Sequence, residues 1–365
     1  MKYQPLLRAL VAAALPIALL AGCSPDATAP PVSSDSPVPS VSASTPSDPA
    51  AEGATRTIVD QYGTEIQIPA EVDRVAATIG AFAHITAVVG GADKLVAAIP
   101  MVGEGLFAEV WPAANPDKRD PSNVEEIIAG DTQVIYGPGF TEEVIGQLEA
   151  AGVVVVTIDR FGTPEEMMSV ISLVGDILGD DAPAKAEAFN TFYADTIADV
   201  ESRVADVPEA ERVKTLNLRV GGDGYSTVDG DDISSAYVAS AGGTVVSADF
   251  DTANSVVGAE QIIAWAPEVI FTMGQAAREQ ILNDPALATV PAVQNAQVFT
   301  EPEGTYPWSV RSAEGVLMPV FLGTILHPDR FADLSLADVT RDFYQEYYGY
   351  DLSQEELDAI LAGGE

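Results

Sequence analysis

One cysteine, Cys23, and two histidines, His84 and His327, are all that this chain of 365 residues carries of those types. With a single cysteine no disulfide can close within the chain, and a dithiol redox site is excluded. Two histidines leave little imidazole for acid–base chemistry and make a poor cage for a bare divalent ion. Basic residues are scarce as well, 17 against 55 acidic ones, for a formal charge of −38. Such a balance argues against nucleic acid and against attachment to an anionic membrane through basic patches; its simplest reading is solubility. Also missing are a GxSxG elbow, an HExxH pair and a glycine-rich phosphate loop ending in Lys-Ser/Thr. These gaps point away from an enzyme, and no cofactor is expected. No apolar run reaches membrane-spanning length, since Ala9 to Ala21 is too short.

What is present begins with a processing signal. Lys2 and Arg8 precede the apolar run, so residues 1–22 read as a secretory signal. The run closes on Leu20-Ala21-Gly22-Cys23, which resembles the lipobox of bacterial lipoproteins and implies lipidation of Cys23. From Ser24 to about Thr55 lie seven of the 25 prolines, with no aromatic and no basic residue. Such a segment cannot bury enough apolar surface to fold, so residues 23–55 are expected to be a disordered tether.

The remaining 310 or so residues suffice for two domains. Asp181 to Val207 reads as one long helix, with Phe189, Tyr193, Ile197, Val200 and Val204 on a single face. Asp181 is placed to cap it, Pro183 suits its first turn, and Val207-Pro208 stops it. On either side stands a copy of one pattern, NVEEIIAGDTQVIY from Asn123 and GAEQIIAWAPEVIF from Gly258, identical at six of fourteen positions. Each copy is a short helix followed by a buried strand. Elsewhere too, apolar strands alternate with helices, as in a parallel sheet covered on both faces. The expected fold is α/β: two Rossmann-like lobes with mostly parallel sheets, 56–160 and 211–365, joined by one long interlobe α-helix within a helical bridge over 161–210. Residues 101–121, 221–232 and 301–307 are expected to be loops, with a helix from the last of these through His327.

In such folds a guest sits beyond the carboxyl ends of the strands, and between lobes. Of the residues on those loops, Tyr306, Trp308 and Arg311 form the best candidate group, two aromatic faces beside a guanidinium fork for anionic oxygen. Tyr225, Tyr136, Phe140, Met101, Phe107 and Met273 are candidates to extend an apolar wall. His84 falls where the first strand-to-helix loop opens, and is a candidate ligand to haem iron or a metal ion. Residues 228–232, VDGDD, lack calcium-loop spacing.

The repeated units, together with EAAGVVVVTID and the ending HPDRFADLSLADVTRDFYQEYYGYDLSQEELDAILAG, resemble the substrate-binding lipoproteins of ABC importers. The similar group has two lobes on one rigid helix and handles iron–siderophore complexes, haem, corrinoids, metals or oxyanions. The resemblance implies a monomer, lipid-anchored through Cys23 and facing outward, that passes its small-molecule guest to a permease with its ATPase subunits. It also implies that Glu125 and Glu260, one on each repeated helix, dock on permease arginines. A ferric siderophore is the expected ligand; haem, corrinoid, metal ion or oxyanion are the alternatives. A surface-anchored enzyme or an adhesion module is the more distant reading.

Overall fold

The computed structural model describes residues 53–99, 105–114, 119–222, 224–251 and 256–364. The signal segment, Cys23, the tether through residue 52, and Met101 lie outside the described residues. The chain opens on an antiparallel hairpin, β1 (Thr55–Val59) and β2 (Glu65–Pro69). Its turn is set by Asp60, whose carboxylate accepts from the backbone of Tyr62 and Thr64.

The first lobe follows as β3 (Val75–Ala77), α1 (Gly80–Thr86), β4 (Leu95–Ala97), α2 (Gly105–Val110), α3 (Val124–Ala129), β5 (Val134–Gly137), α4 (Glu142–Ala150) and β6 (Val154–Thr157). The strands pair in the order β4-β3-β5-β6, all parallel. They are short and apolar on both faces because helices cover both. Asn123 caps α3 by accepting from the Glu125 and Glu126 amides, and Thr141 caps α4 from Val144. Helix α2 lies inside a stretch expected to be irregular; its one buried side chain, Phe107, is too little for a periodic signal.

Two long antiparallel helices come next, α5 (Pro164–Leu178) and α6 (Ala182–Val204). Helix α5 packs on first-lobe elements and on α6, and α6 is the long helix expected between the lobes. On α6, Ala186, Phe189, Tyr193, Val200 and Val204 are buried, close to the face read from spacing. Asn190 ties the pair together, donating to the Met168 carbonyl and to Ser172 Oγ. Asp181 makes no capping bond; it pairs with Lys185 one turn on. Helix α6 packs on α5 and on the turn after α1, and also on elements of the second lobe, so it touches both.

That lobe runs β7 (Val213–Gly221), β8 (Gly224–Thr227), α7 (Ile233–Ser240), β9 (Gly243–Val245), β10 (Val256–Val257), α8 (Ala259–Trp265), β11 (Val269–Thr272), α9 (Gln275–Asn283), α10 (Pro291–Gln294) and β12 (Val298–Thr300). β9, β7, β11 and β12 are parallel, while β8 and β10 add an antiparallel edge. The residues expected to form a loop over 221–232 thus include a strand. Another difference follows β12: helix begins only at Glu314, in a tight turn leading into α11 (Met318–Leu326). Residues 301–313 stay irregular. The chain ends with α12 (Leu336–Phe343), prolonged by a wider turn through Tyr348, and α13 (Gln354–Ala362). The two copies of the repeat become α3–β5 and α8–β11, one in each lobe.

Helix α6 is held by aromatic packing. The Phe189 ring meets Tyr347 at 5.0 Å and Phe343 at 6.1 Å, both edge to face. Truncating Phe189 to Ala is expected to cost about 3–5 kcal/mol, read as a lower urea midpoint with an unchanged slope.

Candidate functional site

The site is built on the irregular segment 301–313, and that segment is fixed by one buried carboxylate. Glu314 has no exposed surface. Its Oε1 accepts from the Thr305 amide at 3.0 Å, the Tyr344 hydroxyl at 2.8 Å and the Tyr348 hydroxyl at 3.2 Å, and from the Thr305 hydroxyl. Its Oε2 accepts from Trp308 Nε1 at 2.9 Å. Burial pushes the Glu314 carboxyl up, and these donors pull it back. Trp308 and Thr305 are thereby locked to the start of α11.

The same cluster reaches the first lobe through His84, on α1. Its Nε2 lies 2.9 Å from both the Thr305 and Tyr348 hydroxyls. Both hydroxyls already give their protons to Glu314, so His84 Nε2 carries a hydrogen and donates; this tautomer is assigned from the network. Burial holds the imidazole down to about 3, so it is neutral. The rings of Phe107, Trp111, Tyr306 and Tyr348 surround it, with centroids 5.5–6.1 Å away.

Held this way, the segment presents two side chains where the lobes meet. Tyr306 leans over the first turn of α1, its hydroxyl 2.8 Å from where a Cβ on Gly80 would stand. Any larger residue at 80 would displace the Tyr306 ring or the Ile99 side chain. Arg311 lies over the Phe161 ring at 5.4 Å and donates through one terminal nitrogen to Asp232 Oδ2 at 2.6 Å. Phe161 follows β6 and Asp232 caps α7, so the guanidinium spans both lobes. Its Nε is buried without a partner among the described residues, and so is the Thr78 hydroxyl just beyond β3. A second lobe contact brings the Asp231 carbonyl within 2.8 Å of a would-be Cβ on Gly162. A cation pinned edge-on by one carboxylate, with donors left over, suits an anionic oxygen.

The other expected site residues fall elsewhere. Trp308, Tyr136 and His84 are fully buried and bonded within the protein, to Glu314, to Thr86, and to Thr305 and Tyr348, so they support the site from behind. Tyr225 donates to Asp284 Oδ2 at 2.6 Å and packs into a separate core with Leu218 and Val257, not the one that holds Trp308 and Tyr306. Phe107 is buried against His84, and Phe140 packs behind β5. Glu125 and Glu260 are exposed on the first turns of α3 and α8. Three residues after each stands an isoleucine left open to solvent, Ile128 at 39% and Ile263 at 38%. Phe161, Asp232 and Glu314 were not singled out from sequence. Glu314 had a signal, a lone acid entering the apolar run VLMPVFLG.

A groove of about 380 Å³ lies apart from this, between the opening hairpin and the α5–α6 turn. Its charged lining, Arg56, Glu71, Asp176 and Asp180, is mostly acidic and lies off the strand ends.

Residues 75–304 match the model of the periplasmic binding protein family. The molybdate-binding protein MolA of Haemophilus influenzae is 25% identical over 332 residues, 81% of this chain and 91% of that protein. Its molybdate-bound structure superposes with a TM-score of 0.71, at 20% identity, over 82% of this chain and 99% of that one. A periplasmic solute binding protein of Veillonella parvula gives 0.72 at 25% identity, over 84% and 97%. CeuE of Helicobacter pylori with Ni(II) bound gives 0.68 at 18%, over 84% and 99%.

The neutral buried imidazole makes a pH prediction. Between about pH 3 and the ordinary value of 6.5, the unfolded chain binds a proton that the folded one refuses. His84 therefore adds stability that is full above about pH 6.5 and is lost as pH falls toward about 3. From about pH 7 to about pH 5 the wild type should lose about 2 kcal/mol more than His84→Gln, measured by urea unfolding. Equal losses would mean the ring titrates normally.

Proposed function

The chain belongs to the periplasmic binding protein family, and on that premise we propose that it captures an anionic, oxygen-bearing solute between its lobes and delivers it to an ABC importer. Its relatives are solute-binding proteins rather than enzymes. Among the described residues no helix is long and apolar enough to cross a membrane. The observation that carries the ligand reading is Arg311: a guanidinium stacked on one lobe, tethered to an acid of the other, with its Nε unpaired. Such a group is the scarce sign of charge in an acidic protein, set where the strands of both sheets end.

Two guests fit that description. A small oxyanion draws support from the molybdate-binding relative and from the close approach of Tyr306 to Gly80, which leaves little room at the floor. A ferric siderophore draws support from the aromatic side chains of this region, Phe161 beneath the cation and Tyr306 on the same segment as Arg311. The oxyanion is the reading we favour. Delivery is assigned to Glu125 and Glu260, each an exposed carboxylate with an exposed isoleucine beside it; one such pair per lobe gives two-point docking and fixes orientation. Cys23 is assigned as the lipid attachment point, with the tether holding the folded part off the membrane.

A thermal-shift screen of residues 24–365 with molybdate, ferric siderophores, haemin and corrinoids tests the ligand. Guest at about 100 times its Kd should add about 2.7 kcal/mol of stability. Arg311→Ala should weaken the stabilising anion by roughly 10- to 100-fold, the worth of a charged hydrogen bond, in a protein that is still folded though less stable, since Asp232 loses its partner. Unchanged affinity removes Arg311 from the site. Glu125→Ala combined with Glu260→Ala should leave binding intact and cut uptake by cells; normal uptake would reject the docking role.

A further inference from the structure

A second buried carboxylate, Glu301, has the opposite character to Glu314. It is 1% exposed; no close, well-aligned hydrogen bond reaches its oxygens among the described residues, although the Ser309 hydroxyl and amide lie near enough to favour its ionised form. A buried polar group left so costs about 1–3 kcal/mol, more when charged, and calls for an explanation.

Its place in the sheet supplies one. Phe271 of β11 pairs with Asn217 of β7 and with Phe299 of β12, and alternate residues share a face. Arg219 and Glu301, two positions further on, therefore fall on that same face at the carboxyl ends of the strands. The Glu301 amide still continues the ladder to the Thr272 carbonyl. Four further buried polar atoms around this edge lack partners: Asn217 Oδ1, Arg219 Nε, Ser309 Oγ and Arg311 Nε. They are connected to the Arg311 site. Asn217 donates to Ser234 Oγ at 3.0 Å, Ser234 to Asp232 Oδ1 at 2.7 Å, and the other oxygen of Asp232 holds Arg311. The hydrogen-bonded chain thus runs from Arg311 to Asn217 on β7, on the sheet face that Glu301 shares.

We propose that Glu301 is a further ligand-binding residue, which in its protonated form donates a hydrogen bond to an oxygen of the anionic guest and so confines capture to the acidic and neutral range. The inference rests on the anion reading above. In that role the empty valences are a waiting contact: the guest's oxygen takes the proton of Glu301 as a hydrogen bond, while the Arg311 guanidinium takes its charge. Once the carboxyl ionises it can only accept, and it repels an anion. Burial raises Glu301 to about 7; Arg219 on β7 and the neighbouring Ser309 act against the rise, and Glu303 on its own loop adds to it.

The test is calorimetric titration of wild type, Glu301→Gln and Glu301→Leu with sodium molybdate and with a ferric catecholate, at about pH 6 and about pH 8. A guest that requires the protonated acid should bind wild type about tenfold more weakly at the higher pH. Glu301→Gln, which always carries a donor, should bind equally at both. Glu301→Leu should bind weakly at both, with a melting point at about pH 6 no lower than that of wild type. Equal wild-type affinity at the two values, or a Gln variant as pH-sensitive as wild type, overturns the proposal while leaving Arg311 its role. Affinity that rises with pH, or no binding of either probe, overturns both this proposal and the anion reading.

Discussion

A carboxylate with no access to water is tolerable only when donors replace the hydration it has lost. Glu314 meets that demand through five hydrogen bonds from four residues, and the structure around the cleft follows from where those residues sit. Thr305 and Trp308 lie on the segment after β12, so the segment has one conformation although it has no regular structure. Tyr344 and Tyr348 belong to the extension of α12, which draws the carboxyl-terminal helices onto the same point. His84 comes from the other lobe and donates into the hydroxyls around the carboxylate. Apolar packing alone would hold these parts together with less definition of direction; a ring of hydrogen bonds fixes angles as well as distances.

Binding capacity follows from that rigidity. Tyr306 and Arg311 sit on an irregular segment, yet each is held from behind by Trp308, Thr305 and the start of α11. In the proposed binding role a guest would meet groups already in place and need not order them, which reduces the cost of association. Helix α6 packs on elements of both lobes, while the lobe-to-lobe contacts at Gly80, Phe161 and Asp232 lie at the strand ends.

Much of this was legible in the chain before folding. The repeat read from Glu125 and Glu260 became matching helix–strand units, and the spacing of Phe189, Tyr193, Val200 and Val204 marked the buried face of α6, because periodic apolar patterns depend only on local geometry. Strand β8 escaped notice because Gly221, Gly222 and Gly224 around it read as a loop, and its pairing with β7 is a tertiary fact. Helix α5 was folded into a single bridge, though Thr163-Pro164-Glu165-Glu166 opens it with a cap and a first-turn proline. Of the candidate site residues, Arg311 and Tyr306 lie where the lobes meet, whereas Trp308, Tyr136 and His84 are buried. Large aromatics and a histidine look alike in sequence whether they line a cleft or fill a core; only burial separates them. The partners Phe161 and Asp232 are 150 and 79 residues from Arg311, and no local pattern joins such positions.

The most direct measurement is a crystal structure of the protein with whichever anion stabilises it. The account predicts density for the guest against the Arg311 guanidinium, in contact with Tyr306 and with residues of both lobes. Density confined to one lobe, or seated in the groove between the hairpin and the α5–α6 turn, would contradict it.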